Sequence, residues 1–229
     1  MSPALPYFLP ADPIPRHVHA TPYATIILSG GYEEAGDAGR HRVGPGDVLM
    51  HASFSAHCDR ITAVRTEVLD IALPAGRSLP ARGKVADADA FVRAAATDPG
   101  RAAAMLLERV ESAAPDQGEP ADRLAAALTA GCAAGIGEWS AGQGLVRETL
   151  SRQFRQLYGI DAAAYRAEAR ARRAWRMIVG TAAPLAEIAH ASGHADQAHM
   201  TRAVRALTGH PPGAWRRVTS VQDRGTLAA

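Results

Sequence analysis

Only two cysteines, Cys58 and Cys132, occur in the 229 residues. They are too few for a disulfide framework or a four-cysteine zinc site, and a reducing cytoplasm is the compartment they imply. Aromatic residues make up just 5% of the chain, yet 47% is hydrophobic and 21% charged. That balance excludes a disordered or collagen-like polymer and suits one large or two small domains with ordinary cores. No run of about eighteen apolar residues is present, and the N-terminus lacks a basic stretch followed by an apolar one. Neither a membrane span nor a signal peptide is expected.

Lysine is also nearly missing, since Lys84 is the only one. The near-neutral net charge of +2 hides a segregation. Residues 1–130 carry 12 Lys and Arg against 16 Asp and Glu, whereas residues 131–229 carry 13 against 7, and all thirteen of those cations are arginine. Arginine offers a rigid donor fork suited to phosphate and guanine, so nucleic acid enters as a candidate partner. A codon bias toward arginine would explain the choice of cation but not its concentration in one half.

From Arg16 to about Leu73 the chain reads as strands and turns. Tyr23–Leu28 is a β-branched run ending at Ser29-Gly30-Gly31, and Gly36, Gly39, Gly44, Pro45 and Gly46 punctuate the segment after it. Residues 65–73 alternate as a further strand before Pro74 and Pro80. A small antiparallel barrel or sandwich over residues 1–83 is implied. Beyond Gly83 the composition turns to alanine-rich helix formers. Phe91, Ala94 and Ala95, then Ala103, Leu106, Leu107 and Val110, fall at helical spacing around an Asp98-Pro99-Gly100 break. Residues 84–120 are thus read as a helical connector ending in a Pro115–Pro120 linker. Phe91, Leu106, Leu107 and Val110 offer apolar surface for a homodimer.

Residues 121–229 contain an internal repeat. Residues 150–166 and 200–216 align at an offset of 50, with six of seventeen positions identical. Each copy reads as a helix-turn-helix. In the second, Leu185, Ile188 and Ala189 stripe a short helix, Ser192-Gly193 turns, and Met200, Val204 and Leu207 stripe the next helix, which Gly209 ends before Pro211-Pro212. In the first, Ile136 and Trp139 open, Gly142 and Gly144 turn, and Leu150, Phe154 and Leu157 face inward. An arginine-rich helix from about Asp161 to Val179 joins them and spans about 28 Å. Two recognition helices held at its ends could enter successive major-groove segments of one duplex.

These residues resemble the DNA-binding domain of the AraC/XylS family of bacterial transcription regulators. The most specific run is Ile188-Ala189 through Gly193, Ala195-Asp196-Gln197, Met200-Thr201-Arg202, Thr208-Gly209 and Pro212 to Arg216. Two departures fall at core positions, with His194 in place of the usual aromatic and Val204 in place of the usual phenylalanine. The N-terminal part resembles the cupin sensor domain found in many such regulators, through His17-Val18-His19 and Pro45–Leu49 leading to His57. Tyr23 and Ala24 stand where metal-binding cupins place a carboxylate. The resemblance implies an α+β chain: an N-terminal cupin-like antiparallel β-barrel, a helical connector and a C-terminal all-α double helix-turn-helix domain. It further implies a cytoplasmic regulator of promoter DNA, with RNA polymerase a further partner and no membrane association.

The outward residues of the recognition helices are Arg147, Glu148, Ser151 and Arg152 in the first unit, and Gln197, Ala198, Thr201 and Arg202 in the second. Arginine can pair bidentately with guanine, glutamine with adenine, and threonine or alanine can touch a thymine methyl. Arg155, Arg205, Arg170, Arg172 and Arg173 are read as phosphate contacts, although adjacent Arg172 and Arg173 cannot share one helix face and at least one is structural. The three tryptophans are assigned to core packing.

His17, His19, His51 and His57 could hold zinc or another divalent ion, with Glu33, Glu34 or Cys58 completing the set. An organic effector in a histidine-lined pocket, or a purely structural role, is the equal alternative. His41 is expected at the surface. The rival class is a cupin dioxygenase, with iron on His17, His19 and His57, tethered to a DNA module. No catalytic residue is assigned.

Overall fold

The computed structural model of the chain describes residues 4–63, 65–76, 80–113, 118–132 and 134–217. It divides into two compact units, Met1–Asp122 with Gln156–Gly159, and Arg123–Arg155 with Ile160–Ala229. Among the described residues no helix is long and apolar enough to cross a membrane.

The first unit is built from β1 (Tyr7–Phe8), β2 (Ile14–His19), β3 (Tyr23–Ser29), β4 (Tyr32–Gly36), β5 (Gly39–Val43), β6 (Asp47–His51), β7 (Ser55–Ile61), β8 (Glu67–Ala72), β9 (Arg82–Lys84) and β10 (Glu111–Ser112). Helices α1 (Ala88–Thr97) and α2 (Pro99–Arg109) lie between the last two strands. All pairing is antiparallel, in a six-stranded sheet of order β1-β8-β3-β6-β9-β10 and a four-stranded sheet of order β2-β7-β4-β5. The Tyr23–Leu28 run supplies β3, a central strand of the larger sheet. Its near-continuous apolar text reflects burial on both faces. Ala24 and Ile26, with Val48, Met50, Leu69 and Ile71, form a core with Phe91, Ala95, Ala102 and Leu106 of the two helices. The alternate residues Ile27, Leu49 and Val68 pack with Tyr32 and Val43 of the smaller sheet.

The stretch read as a connector is therefore part of the first unit's core. Asp87 caps α1 by accepting from the Ala90 amide, and Asp98 does the same for α2 from Arg101, with Pro99 at the first helical position. Phe91 and Leu106, expected as surface for a second copy, are fully buried here instead. The outer face of the six-stranded sheet needs a cover, and these side chains provide it. Gly30 follows β3 at φ +73°, where a Cβ would collide with the Arg65 carbonyl. Only glycine fits this turn without strain.

The second unit is helical: α3 (Pro120–Ala130), α4 (Ile136–Gly142), α5 (Arg147–Tyr158), α6 (Ala162–Gly180), α7 (Leu185–Ala191) and α8 (Gln197–Thr208), with a further helical turn over 212–217. Of the expected linker, residues 115–117 lie outside the described residues, and α3 starts at Pro120. Asp161 and Asp196 cap α6 and α8, accepting from Ala164 and His199 amides at 2.9 and 2.7 Å. Gly209 ends α8 at φ +76°, the left-handed conformation that suits a helix terminus.

Leu106→Ala tests the cover over the larger sheet. Removing a fully buried leucine should destabilise the protein by about 2–5 kcal/mol in chemical denaturation. A loss below about 1 kcal/mol would show that α2 does not seal that face.

Candidate DNA-binding surface and histidine-lined interior

In the helical unit, each helix-turn-helix turn contains a glycine at positive φ, Gly144 at +65° and Gly193 at +81°. Side chains with a Cβ resist that backbone, which explains why both copies of the repeat spend a glycine there. The inward stripe of α8, Met200 and Val204, packs on Ala174 and Ile178 of α6 and on Ile188 and Ala189 of α7. Val204 is fully buried. His194 is buried too, its Nδ1 2.9 Å from Ser192 Oγ, while that hydroxyl lies 2.6 Å from the Ile188 carbonyl. Burial, then the neighbouring His199, pushes the His194 imidazole below its ordinary pKa. Both family departures are thus accommodated in the core. Trp175 and Trp215 pack as expected, edge to face at 5.8 Å, with Trp215 Nε1 donating to Thr208.

The opposite faces of α5 and α8 are open. Arg147, Glu148, Arg152 and Arg155 are exposed on α5, as are Gln197, Ala198, Arg202 and Arg205 on α8, while Ser151 and Thr201 are half-buried at equivalent places. Arg155 also reaches the α6 cap, 3.4 Å from Asp161. Two arginines expected at phosphates are structural. Arg172 is buried and paired with Glu168 one turn earlier, and Arg173 donates to the Thr129 carbonyl at 2.9 Å. Adjacency requires that at least one of them be structural; α6 is wrapped on enough sides to take both.

In the β unit, the interior between the sheets is apolar at one end, around Ile27, Tyr32, Val43, Leu49 and Val68. Polar side chains fill the other. His17 and His19 share one face of β2, their ring centroids 4.7 Å apart, and His17 pairs in register with His57 of β7 at 4.4 Å. His51, from the end of β6, lies 4.6 Å from His57 and stacks on Tyr23 at 4.3 Å. All four histidines singled out from the sequence therefore meet. Glu34 of β4 joins them, its carboxyl oxygens 3.7 Å from His51 Nε2 and 4.0 Å from His57 Nδ1. Asp59 lies 3.9 Å from His57 Nε2. Two donor groups result, His17-His19-His57 and Glu34-His51-His57, each with its ligand atoms within 4.8 Å of one another.

Burial dominates the electrostatics. It holds His51 down to about pKa 3 and His57 to about 2, with neighbouring histidines adding to the effect. Both imidazoles are therefore neutral and have lone pairs to offer at physiological pH. Burial, and then Asp59, raises Glu34 well above the carboxylate range, while burial and Asp70 lift Asp59 to about 7. Asp70 itself accepts from Tyr7 at 2.7 Å and Thr25 at 2.6 Å.

Other expected donors are elsewhere. Cys58 follows inward-facing His57 and so turns to the other face of β7, its thiol near the Ala35 carbonyl and pushed up to about pKa 11, chiefly by burial. Glu33 faces away from Glu34 and is clamped by Arg40, Arg42 and Arg60. His41, expected at the surface, is buried on β5 with Nε2 3.2 Å from the Ala38 carbonyl oxygen. Asp59 and Tyr23 were not anticipated, although Asp59 stands two residues after His57 and must share its face.

No curated protein matches the chain. Among solved structures, it is similar to the C-terminal domain of AraT, a response regulator from Geobacillus stearothermophilus, at 20% identity, covering 45% of this chain and 88% of that one with a TM-score of 0.41. The DNA-binding domain of AdpA, a global transcriptional factor in complex with a target DNA, is 20% identical over 46% of this chain and 96% of that one, TM-score 0.42. Unsaturated fatty acid-bound ToxT from Vibrio cholerae strain SCE256 is 9% identical over 93% and 94%, TM-score 0.44. The family model described as a helix-turn-helix domain matches residues 139–218, the stretch in which the two turns, the joining helix and both open arginine faces have just been placed. Residues 139–218 form a helix-turn-helix domain.

Proposed function

We propose that α5 and α8 read two adjacent major-groove segments of promoter DNA, and that the cupin-like β unit binds a metal ion or small effector that biases this binding. The observation that carries the reading is the repeated open face. Arg152 and Arg202, and Arg155 and Arg205, occupy equivalent exposed positions of two helix-turn-helix copies. They lie in a segment, residues 131–229, whose thirteen cations are all arginine. Arg147, Glu148, Ser151, Arg152, Gln197, Ala198, Thr201 and Arg202 face bases in this reading, and Arg155 and Arg205 face phosphates. The helix between the copies spans about 28 Å, close to one turn of the duplex at about 34 Å.

For the β unit, the gathering of four neutral or half-buried imidazoles and a buried carboxyl supports a ligand site better than a plain core, because burying polar groups without partners is costly. We assign it no catalysis. Of the four residues read as a homodimer surface, Leu107 and Val110 are the ones left partly exposed, packed at the edge of the β unit's core.

Fluorescence anisotropy with promoter fragments tests the DNA reading. Affinity should fall steeply between low and moderate salt, because arginines displace counterions from phosphates. Arg202→Ala should cost about 1–3 kcal/mol at the preferred site and relax preference at one or two base pairs, whereas Arg155→Ala should weaken all sequences alike. Affinity that ignores salt, or equal loss of specificity from both variants, would overturn the assignment. Elemental analysis of protein purified without chelator or affinity tag tests the metal arm. About one divalent ion per chain is expected after Zn²⁺ is supplied. Less than about a tenth of an equivalent would leave an organic effector.

A further inference from the structure

We propose that the ion is held in the depth of the β unit by Glu34, His51 and His57, with Asp59 orienting His57 from behind, and that His17 and His19 are not needed to retain it. This deepens the metal arm of the sensor reading and rests on it. The distinguishing donor is Glu34, which comes from β4, a strand outside both histidine-bearing motifs of the sequence.

Glu34 and Asp59 are directly opposite in the β4–β7 register, on the inner faces of neighbouring strands, and both are buried. Like charges placed directly opposite destabilise a sheet. The preceding residue shows how this fold neutralises a buried carboxylate elsewhere: Glu33 is held by three guanidiniums, the nearest at 2.7 Å. Among the described residues, only His51 and His57 bring a basic group within ion-pair distance of Glu34. A divalent cation satisfies an opposed carboxyl pair and neutral imidazoles together.

Two buried atoms point the same way. Among the described residues His57 Nδ1 and Asp59 Oδ1 find no hydrogen-bond partner, though His57 is 4% and Asp59 7% exposed. His57 Nδ1 is the nitrogen turned toward Glu34, and Nε2 is the one turned toward Asp59. That is the order of a carboxylate, a histidine and a metal; Asp59 would have to close from 3.9 Å to hydrogen-bond distance to fix the tautomer and orient the ring. The distances fit as well. Ligands of a tetrahedral ion at about 2.1 Å lie about 3.4 Å apart, so separations of 3.7 and 4.0 Å need close by only a few tenths of an ångström. Two imidazoles and one carboxylate, with the Cys58 thiol on the other face of β7, suit zinc or iron(II) rather than copper(I). The half-buried His17 and His19 lie on the more open side, outside the Glu34-His51-His57 group.

The experiment uses the full chain, with Zn²⁺ affinity from competition against a chromophoric chelator and the Co²⁺ absorption spectrum as a report on the ligands. Fe²⁺ uptake under anaerobic conditions is measured in parallel to tell zinc from iron. Glu34→Gln should weaken Zn²⁺ binding at least about tenfold and alter the Co²⁺ spectrum, while His17→Ala/His19→Ala should keep affinity within about threefold, short of the tenfold that removal of even an outer partner costs. Melting of the ion-free proteins checks folding, and if Glu34→Gln does not fold, His51→Gln carries the same expectation. Wild-type affinity in Glu34→Gln or His51→Gln, or loss of binding in the His17/His19 variant alone, overturns the proposal and leaves metal sensing in place. Failure of the wild-type chain to bind any of the three ions overturns both, without touching the DNA reading.

Discussion

β3 sits between two different environments, and that constraint organises the β unit. On one side of the strand are α1 and α2, on the other the smaller sheet, so alternate residues must be apolar for different reasons. Ala24 and Ile26 meet the helices; Ile27 meets Tyr32 and Val43 across the interior. Tyr23 and Thr25, on that same inner face, lie at the polar end, against His51 and Asp70. A one-residue slip of β3 would send Ile26 into the interior and Thr25 under the helices. The hydroxyl bonded to Asp70 would then be buried among alkyl groups with no partner, at a cost of roughly 1–3 kcal/mol. The apolar cover and the polar interior are therefore fixed by one register.

In the helical unit the arginines divide by the same rule of satisfaction. Arg172 and Arg173 are turned inward and bound to Glu168 and the Thr129 carbonyl, and Arg166 and Arg216 donate to the Ala134 and Ala183 carbonyls. A guanidinium has five donors and never loses its charge, so it ties segments together only where carbonyls or carboxylates are supplied. The exposed arginines of α5 and α8 have few such acceptors. Net positive charge on a surface without internal acceptors is what a polyanion can use. The basic excess of this half is consequently smaller at its surface than the sequence total suggests, and it is gathered on the two repeated helices.

Much of this was legible in advance. The repeat at an offset of 50, the turn glycines and the caps located α5, α6 and α8 to within a residue or two, because helix periodicity and terminus chemistry are local. Tyr23–Leu28 announced β3, and His17-Val18-His19 announced a shared face. What stayed hidden was non-local. Alternation says that Glu33 and Glu34 face opposite ways, but only the partner strands decide which one meets arginines and which meets histidines. His41 reads as a turn residue until β5 pairs with β4 and sets it opposite Glu34. Asp59 shares His57's face by simple counting, yet its closeness to Glu34 depends on the β4–β7 register, which no single strand encodes. Likewise, the sequence shows Arg172 beside Arg173 without showing that α6 is packed on more than one side.

A ligand in the β unit can influence DNA binding only through a difference in its affinity for two states of the protein. The interior imposes a limit on how large that difference can be. A site made of side chains from β4, β6 and β7 is anchored by ladder hydrogen bonds on either flank, so it is largely formed before the ligand arrives, and binding there changes position by tenths of an ångström rather than by refolding. His17 and His19 lie on β2, an edge strand of the smaller sheet, paired on one side only and with an irregular register between Ile14 and His17. An edge strand has fewer ladder bonds to break when it shifts, and switching elements are drawn from the less stable parts of a fold. Coupling of about 1–3 kcal/mol, enough for a 5- to 150-fold change in DNA affinity, is within reach if the deep donors hold the ligand and the edge strand responds to it. If the proposed ion binds, a rigid seat beside an edge strand would leave retention to Glu34, His51 and His57, and response to β2.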